Sequence, residues 1–270
     1  MGKMANLLSC VLLGIVLSAC NMTKFVPQGQ YLLNDVKVTV DDTKEVPPTD
    51  LMKYVQQKQN TEILGFWKLQ LGIYNTASTD TTKWTSKNAR KIGEAPVVFS
   101  PQMTDASCVQ LKRAMNNKGY FQAQVDTTMQ VKDRKVNLVY HVTANQPYHL
   151  RNYSVNVAHN DLRNIALNQR HTLLRNGMQF DADLFNQERQ RVASAMRRRG
   201  YFYFDQEMLQ FEADSSRVKG HIDVKMQLQD YVQALSEEEK DLIFRTYTIA
   251  HVSFHIDYDP ARVPDNAEMY

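Results

Sequence analysis

The sequence AMNNKGYF at residues 114–121 recurs as AMRRRGYF at residues 195–202, with Ala, Met, Gly, Tyr and Phe in the same places. In both copies, apolar residues at helical spacing precede the glycine, and an alternating apolar and polar run follows the phenylalanine. A glycine in this position is typical of the residue that ends a helix. The repeat therefore indicates one small α+β unit that the chain uses more than once.

A second repeat has the spacing of a β-strand. Residues 31–40, 148–157 and 247–256 each begin with tyrosine and then alternate apolar and polar side chains. This alternation is the period of a half-buried strand. The first two copies are followed by patterns for two helices and a hairpin, whereas only a polar segment with two prolines follows the third. We therefore expect two complete units and the start of a third.

The first unit is predicted to begin with the strand 31–40 and a helix from Thr49 or Asp50 to about Gln59. Residues 60–100 predict a short helix and a long loop. A second helix is predicted from Thr104 or Asp105 to Lys118, with an apolar stripe of Cys108, Leu111 and Met115. A hairpin of residues 121–131 and 136–142 completes this unit.

The second unit repeats this order. We predict the strand 148–157, helices over 161–169 and 183–199, the hairpin strands 201–211 and 218–228, and a helical turn beginning at Ser236. The resulting organisation has five parts: a signal peptide at 1–19, a tether at 20–30, modules at 31–145 and 146–232, and an incomplete module at 233–270.

The N-terminal segment predicts export and lipid attachment. A short apolar run from Leu7 to Leu17 is followed by Ser18, Ala19 and Cys20. This run is too short to cross a bilayer as a stable helix, and it resembles the signal of a bacterial lipoprotein. Cys20 would then carry a covalent lipid. The alternatives are an ordinary secretory signal with a chance cysteine and a retained transmembrane helix.

Composition and motifs argue against several other classes. The formal net charge is +3, which favours neither a nucleic-acid binder nor a strongly acidic partner. The sequence has no Gly-rich phosphate loop, Gly-x-Ser-x-Gly motif or convincing carboxylate pair, so no enzyme, cofactor or catalytic residue is predicted. His251 and His255 share one strand face near Asp257, but a structural zinc site needs four ligands, so no metal is predicted either. Cys108 would be the one cysteine left without a partner after lipidation, and we expect it to be a small buried apolar residue.

The order strand, helix, helix, strand, strand with a repeated Gly-Tyr-Phe resembles the POTRA (polypeptide-transport-associated) family. The segments 23–33, 63–67 and 90–97 after the lipobox cysteine are similar to the start of TamA-like lipoproteins (TamL) in the BamA/TamA superfamily, also called bacterial surface antigens. The resemblance covers residues 20–270. It implies an α+β fold of tandem POTRA-like modules, each a three-stranded mixed sheet covered by two helices. Family members continue into a membrane β-barrel, so the chain is expected to be truncated before one.

The resemblance also implies a function. POTRA modules bind polypeptides by β-augmentation, in which an extended peptide adds a strand to a sheet edge. The family's usual edge is the second strand, which places the contact residues here at Phe121, Ala123, Val125, Tyr201, Tyr203 and Asp205. Expected partners are unfolded outer-membrane or secreted proteins, other envelope assembly components and the outer membrane itself, with the modules facing the periplasm. The alternatives are a lipoprotein adaptor that organises envelope complexes without clients, and a non-functional fragment.

Two further groups of residues predict contact surfaces. Phe66, Trp67 and Trp84 would form a partner or membrane interface, or else pack beneath their own loop or against the next module. Arg197, Arg198 and Arg199 would contact anionic head groups, or else form a solvated helix end stabilised by the helix dipole.

Overall fold

A computed structural model describes residues 22–64, 67–168, 170–215 and 217–252. The first sheet is built from β1 (Leu32–Val40), β2 (Gln124–Lys132) and β3 (Lys135–Thr143). The helices that accompany it in sequence are α1 (Pro48–Leu51), α2 (Leu69–Asn75), α3 (Trp84–Ile92) and α4 (Pro101–Asn117). The second sheet is built from β4 (His149–Asn156), β5 (Leu209–Asp214) and β6 (His221–Leu228). Its helices are α5 (Asn160–Ala166), α6 (Ala182–Arg198), α7 (Asp230–Gln233) and α8 (Glu237–Phe244).

Both sheets have the same mixed topology. The strand order is β1-β3-β2 in the first sheet and β4-β6-β5 in the second. In the first sheet, β1 runs parallel to β3 and β2 runs antiparallel to it, with Val36 and Met129 on either side of Leu138. The repeated topology confirms the predicted α+β architecture of tandem POTRA-like modules.

The core of the first sheet follows the alternation of β3. Its alternate residues Val136, Leu138, Tyr140 and Val142 are buried. They belong to one apolar cluster with Leu111, Ala114 and Met115 of α4, and Cys108 packs against that cluster while only half-buried. The stripe predicted for this helix is therefore confirmed.

Helix α4 begins earlier than predicted. Its N-cap is Ser100, whose hydroxyl accepts a hydrogen bond from the Met103 N–H at 3.4 Å, and Pro101 occupies the first turn. The predicted cap Thr104 lies inside the helix, where its hydroxyl donates to the Ser100 carbonyl at 3.1 Å. Proline suits the first turn because its missing N–H would have no helical partner there.

The helix predicted up to Gln59 is wrong, because the chain leaves helical geometry after a short α1 and a 3₁₀ turn at Met52–Tyr54. The Gln56 N–H donates to the Ser107 hydroxyl at 3.0 Å, and the Gln57 side chain donates to the Val98 carbonyl at 2.6 Å. These distant partners compensate for the lost helical bonds. Residues 60–100 contain α2 and α3, which is one helix more than predicted.

The first strand of each hairpin starts later than predicted in both copies of the repeat. After Gly119, the Tyr120 N–H donates to the Met115 carbonyl and the Ala123 N–H donates to the Tyr120 carbonyl, which makes a turn. In the second copy, the chain after Gly200 passes through a 3₁₀ turn at Gln206–Met208 before β5 begins at Leu209. The prediction was wrong here because each tyrosine turns back into the core before the strand begins.

The apolar faces of α5 and α6 pack in the core of the second sheet. Phe185, Val192 and Met196 of α6 are buried, as is Leu162 of α5. Helix α8 begins at Ser236 with a capping box that includes Glu239, which confirms the predicted helical turn. Residues 247–252 of the predicted third strand form no strand, and the rest of that prediction lies outside the described residues.

The chain divides into two compact units. One contains residues up to Leu150 together with Gly177–Ala182 and Ser215–Ile222. The other contains Arg151–Asn176, Asp183–Asp214 and the residues from Asp223 onward.

Candidate functional site

Strand β2 is an edge strand of the first sheet and is exposed along most of its length. It pairs with β3 alone among the strands of the described part of the chain. Eight of its nine residues are exposed, and Val125 is half-buried. Met129 and Val131 keep 50% and 49% of their surface accessible. A long exposed edge with apolar side chains is an unusual feature, because such edges invite pairing with other chains.

The hairpin turn determines which backbone groups of β2 face outward. Asp133 and Arg134 have φ angles of 51° and 59° and connect Lys132 directly to its partner Lys135. Two positive φ angles in a two-residue loop are the geometry of a type I′ hairpin. In such a hairpin the flanking pair exchanges both of its hydrogen bonds, and bonded pairs then alternate along the strands. The N–H and C=O groups of Val125, Thr127, Met129 and Val131 therefore point away from β3.

The same four residues lie opposite the buried side chains of β3. Thr127 is paired with Tyr140, Met129 with Leu138, and Val131 with Val136. The outward-facing backbone groups of β2 and its apolar side chains, Met129 and Val131, consequently belong to the same residues. A strand added at this edge would extend both the hydrogen-bond ladder and the apolar face of the sheet.

Two other edge strands, β1 and β5, are less open than β2. Residues 97–99 cover the start of β1, because the Leu33 N–H donates to the Val97 carbonyl and the Phe99 N–H donates to the Tyr31 carbonyl, both at 2.8 Å. Strand β5 has six residues, and the Arg189 guanidinium donates to the Leu209 carbonyl at 3.3 Å. Strand β2 is therefore the most exposed of these edges.

The structure corrects the predicted contact residues. Of the predicted positions, Val125 lies in β2, whereas Phe121 and Ala123 lie in the turn before it and Ala123 is buried. In the second copy, Tyr201, Tyr203 and Asp205 all precede β5. The outward-facing edge positions that the sequence did not single out are Thr127, Met129 and Val131, and the Asp133-Arg134 turn is the pattern that could have identified them.

The aromatic residues of each Gly-Tyr-Phe have separate structural roles. The buried Tyr120 donates its hydroxyl to Glu45 at 3.0 Å, and Tyr201 donates its hydroxyl to Asp161 at 2.7 Å. Burial, and then the adjacent carboxylate, raises the pKa of both phenols. The Phe121 ring packs against Tyr148 and Phe180, with both centroid distances at 5.1 Å. The repeated motif therefore stabilises the end of each helix.

The predicted interface residues differ in their exposure and in their ion-pair partners. Trp67 and Trp84 keep 53% and 76% of their surface accessible, so the alternative that they pack beneath their own loop is wrong for Trp84. Phe66 lies outside the described residues. Arg197 pairs with Asp205 and Arg199 pairs with Asp161, both at 3.2 Å, and Arg198 is exposed. These two ion pairs favour the solvated helix end over a head-group site.

Lys68 is a buried charge that the sequence did not indicate. Its ammonium donates to the Asn34 carbonyl and lies 3.4 Å from a Glu62 carboxylate oxygen. Burial lowers the pKa of Lys68, and the carboxylate of Glu62 opposes that shift. The lysine thus links the loop before α2 to β1.

Among the described residues, neither the Cys108 thiol nor a metal-binding cluster provides a chemical centre. Burial raises the pKa of the Cys108 thiol, and the carboxylates of Asp105 and Asp126 add to the shift, which opposes formation of a thiolate nucleophile. Within the described ranges, no group of three or more His, Cys, Asp or Glu side chains is placed to hold a metal ion. The same residues include no helix that is long and apolar enough to cross a bilayer. Cys20, His255 and Asp257 lie outside the described ranges.

Comparisons with known proteins find a family match for the first module. The POTRA family model, described as the surface antigen variable number repeat, matches residues 33–145. No curated protein matches the chain. POTRA modules are non-enzymatic, which agrees with the absence of a catalytic motif in the sequence.

Solved structures of POTRA-containing proteins are also similar to this chain. BamA from Haemophilus ducreyi lacking POTRA domains 1–3 is 14% identical, with a TM-score of 0.37, over 74% of this chain and 29% of that one. POTRA1–3 of the periplasmic domain of Omp85 from Anabaena is 13% identical, with a TM-score of 0.28, over 74% of this chain and 65% of that one. The chain thus spans less than two thirds of either protein. Residues 33–145 thus match the POTRA family, and the two sheets share one topology, as expected of tandem POTRA-like modules.

Proposed function

We propose that this chain is a lipid-anchored periplasmic POTRA region that holds client or partner polypeptides at the β2 edge during outer-membrane protein assembly or translocation. The observation that carries this proposal is the exposure of β2, whose outward backbone groups coincide with the uncovered apolar side chains of Met129 and Val131. The POTRA family match supports the assignment to outer-membrane assembly.

Strand addition at β2 would recognise unfolded chains without requiring one sequence. The backbone groups of an incoming strand would pair with those of Val125, Thr127, Met129 and Val131. Main-chain hydrogen bonds form with almost any residue except proline, so they give affinity without strict specificity. Alternate apolar side chains of the client would pack beside Met129 and Val131. Such alternation is the pattern of membrane β-strands.

The anchor in this proposal is a lipid on Cys20. The support for it is the apolar segment at residues 7–17 followed by Ser18-Ala19-Cys20. Several acyl chains would hold the protein at the membrane, since each buried CH₂ contributes about 0.8 kcal/mol. Incorporation of labelled palmitate, lost in Cys20→Ala, tests this part separately.

The edge is tested with proline at an outward-facing position. Thr127→Pro removes an N–H that points away from β3, so the ladder within the sheet is retained. With a photo-crosslinking residue in place of Gln130, we expect about a tenfold loss of crosslinks to unfolded outer-membrane proteins, since one hydrogen bond and the adjoining strand contacts are lost. Thr127→Val keeps the N–H and should crosslink as the parent does.

The crosslinking result distinguishes the alternatives. Equal crosslinking by Thr127→Pro and the parent, with unchanged urea midpoints, would show that β2 is not the binding edge. A single partner recovered at fixed stoichiometry, with no unfolded outer-membrane proteins, would instead indicate an adaptor. Crosslinks to many barrel proteins that require the Thr127 N–H would support the proposed function.

A further inference from the structure

Helix α3 presents a basic and aromatic face to solvent. Trp84 and Ile92, at its two ends, keep 76% and 66% of their surface accessible. Lys83, Lys87 and Lys91 are also exposed. Helix α3 contains no acidic residue; its sequence is WTSKNARKI. The neighbouring acidic residues Asp80 and Glu94 lie outside the helix. Exposed tryptophan with lysines on one short helix is typical of an element that lies in a membrane interface.

The segment next to the proposed lipid site is fixed to this helix and to α2. The Lys24 ammonium donates to the carbonyls of Asn75 and Ala77 at 3.0 and 2.6 Å. The Phe25 ring packs edge-on against Tyr74 at a centroid distance of 5.4 Å. The guanidinium of Arg90, which belongs to α3, lies over the Phe25 ring at 4.9 Å. Residues 24 and 25 are therefore a docked part of the first unit instead of a loose tether.

This docking limits the distance between the lipid and the helix. Met22 and Val26 pack in a small cluster with Leu32 and Leu71. Cys20 is two residues from Met22, and two extended residues span at most about 7 Å. A lipid on Cys20 would therefore hold this docked segment, and with it the first unit that contains α3, close to the head groups.

We infer that α3 is a membrane-contacting helix, which places Trp84 at the lipid interface and Lys83, Lys87 and Lys91 against anionic head groups. This inference rests on the proposed lipid anchor at Cys20. Each basic side chain near an anionic bilayer contributes attraction, and together they would fix the orientation of the first unit relative to the membrane surface.

The two tryptophans of the chain allow a direct test. In the full chain purified from membranes, Trp67→Phe leaves Trp84 as the single tryptophan. The lipidated protein is reconstituted into vesicles of phosphatidylcholine with or without phosphatidylglycerol, each containing lipids brominated in the acyl chain. We expect bromolipid quenching of Trp84 that is stronger with phosphatidylglycerol and falls as salt is raised.

A charge variant and a matched control complete the test. Lys87→Gln with Lys91→Gln should lose most of the additional quenching in phosphatidylglycerol vesicles. Lys112→Gln with Arg113→Gln removes two exposed charges from α4 and should leave the quenching unchanged. Circular dichroism checks that each variant is folded.

The outcomes separate this inference from the anchor. If Cys20 incorporates palmitate but Trp84 is quenched by acrylamide and not by bromolipids, the anchor stands and the membrane-contacting helix is wrong. If Cys20 incorporates no palmitate, the anchor fails and the inference fails with it. Palmitate incorporation together with phosphatidylglycerol-dependent quenching supports both.

Discussion

At the residue scale, the tyrosine and the phenylalanine of the first Gly-Tyr-Phe motif make different contacts: Tyr120 donates a hydrogen bond, and Phe121 packs against aromatic rings. Tyr120 and Tyr201 are buried and donate to Glu45 and Asp161, which lie far from them in sequence. Neither carboxylate could be identified from the motif, because the partner is brought close only by the fold. A hydrogen bond to a charged acceptor contributes about 1.5–3 kcal/mol, so the motif is a stabilising element first.

Glu188 is the clearest single residue on which stability should depend. Its fully buried carboxylate accepts from the Thr172 hydroxyl at 2.8 Å, the Leu173 N–H at 3.0 Å and two nitrogens of Arg191. We expect Glu188→Ala to lower the free energy of unfolding by about 3 kcal/mol, because the half-buried Arg191 guanidinium and the buried Thr172 hydroxyl both lose their acceptor. The urea midpoint measures this change.

The control for Glu188 is an exposed ion pair. Glu212 lies 2.6 Å from Lys225, with 59% of its side chain accessible. Glu212→Ala should cost less than about 1 kcal/mol, since water screens such pairs. Equal effects of the two substitutions would contradict the role assigned to Glu188.

At the element scale, the ends of α4 and α6 depend on glycine for two separate reasons. Gly119 and Gly200 have φ angles of +88° and +97°, which side chains rarely adopt. A Cβ added there would lie 2.8 Å from the Phe180 carbonyl oxygen at Gly119 and 2.9 Å from that of Tyr247 at Gly200. The glycines therefore allow both the left-handed turn and the close approach of another backbone segment.

These two reasons can be separated by three alanine variants. Gly177 has a φ of +85° with nothing within 4 Å of its added Cβ, so Gly177→Ala should cost only the conformational strain, about 1–2 kcal/mol. Gly119→Ala and Gly200→Ala should cost about 2–3 kcal/mol, because the carbonyl contacts must also shift. Urea unfolding compares the three, and equal losses would show that the close approach contributes nothing.

At the scale of the whole molecule, stability should fall in alkaline solution. Burial, with a smaller contribution from Glu188, raises the pKa of Tyr153 above its ordinary value. A group whose pKa is raised by folding stabilises the protein below its unfolded pKa, which is about 10 for tyrosine. That stabilisation is lost as the pH rises through the folded pKa. Burial raises the pKa of Tyr120, Tyr140 and Tyr201 in the same direction.

We therefore expect Tyr153→Phe to lose less stability than the parent as the pH rises above about 10. Urea midpoints of both proteins, measured between neutral pH and about pH 11, give the two slopes. The difference between the two urea midpoints at neutral pH is the baseline for comparing the slopes. Parallel curves would show that the Tyr153 phenol keeps its proton equally well in the folded and unfolded chains.

The sequence by itself determined the repeated α+β unit, the positions of the longer helices and the apolar faces that form each core. These features are local, because the periodicity of a strand or helix and the glycine that ends a helix can be recognised from consecutive residues. Only the tertiary structure decided which residues of the β2 edge face outward, that residues 24 and 25 are docked on α2 and α3, and that the helix predicted up to Gln59 ends early. Each of these features depends on residues that are distant in sequence. Strand β1 pairs with β3 across the intervening helices. Ser107 accepts from the Gln56 N–H and Val98 accepts from the Gln57 side chain, which ends the helical geometry after α1.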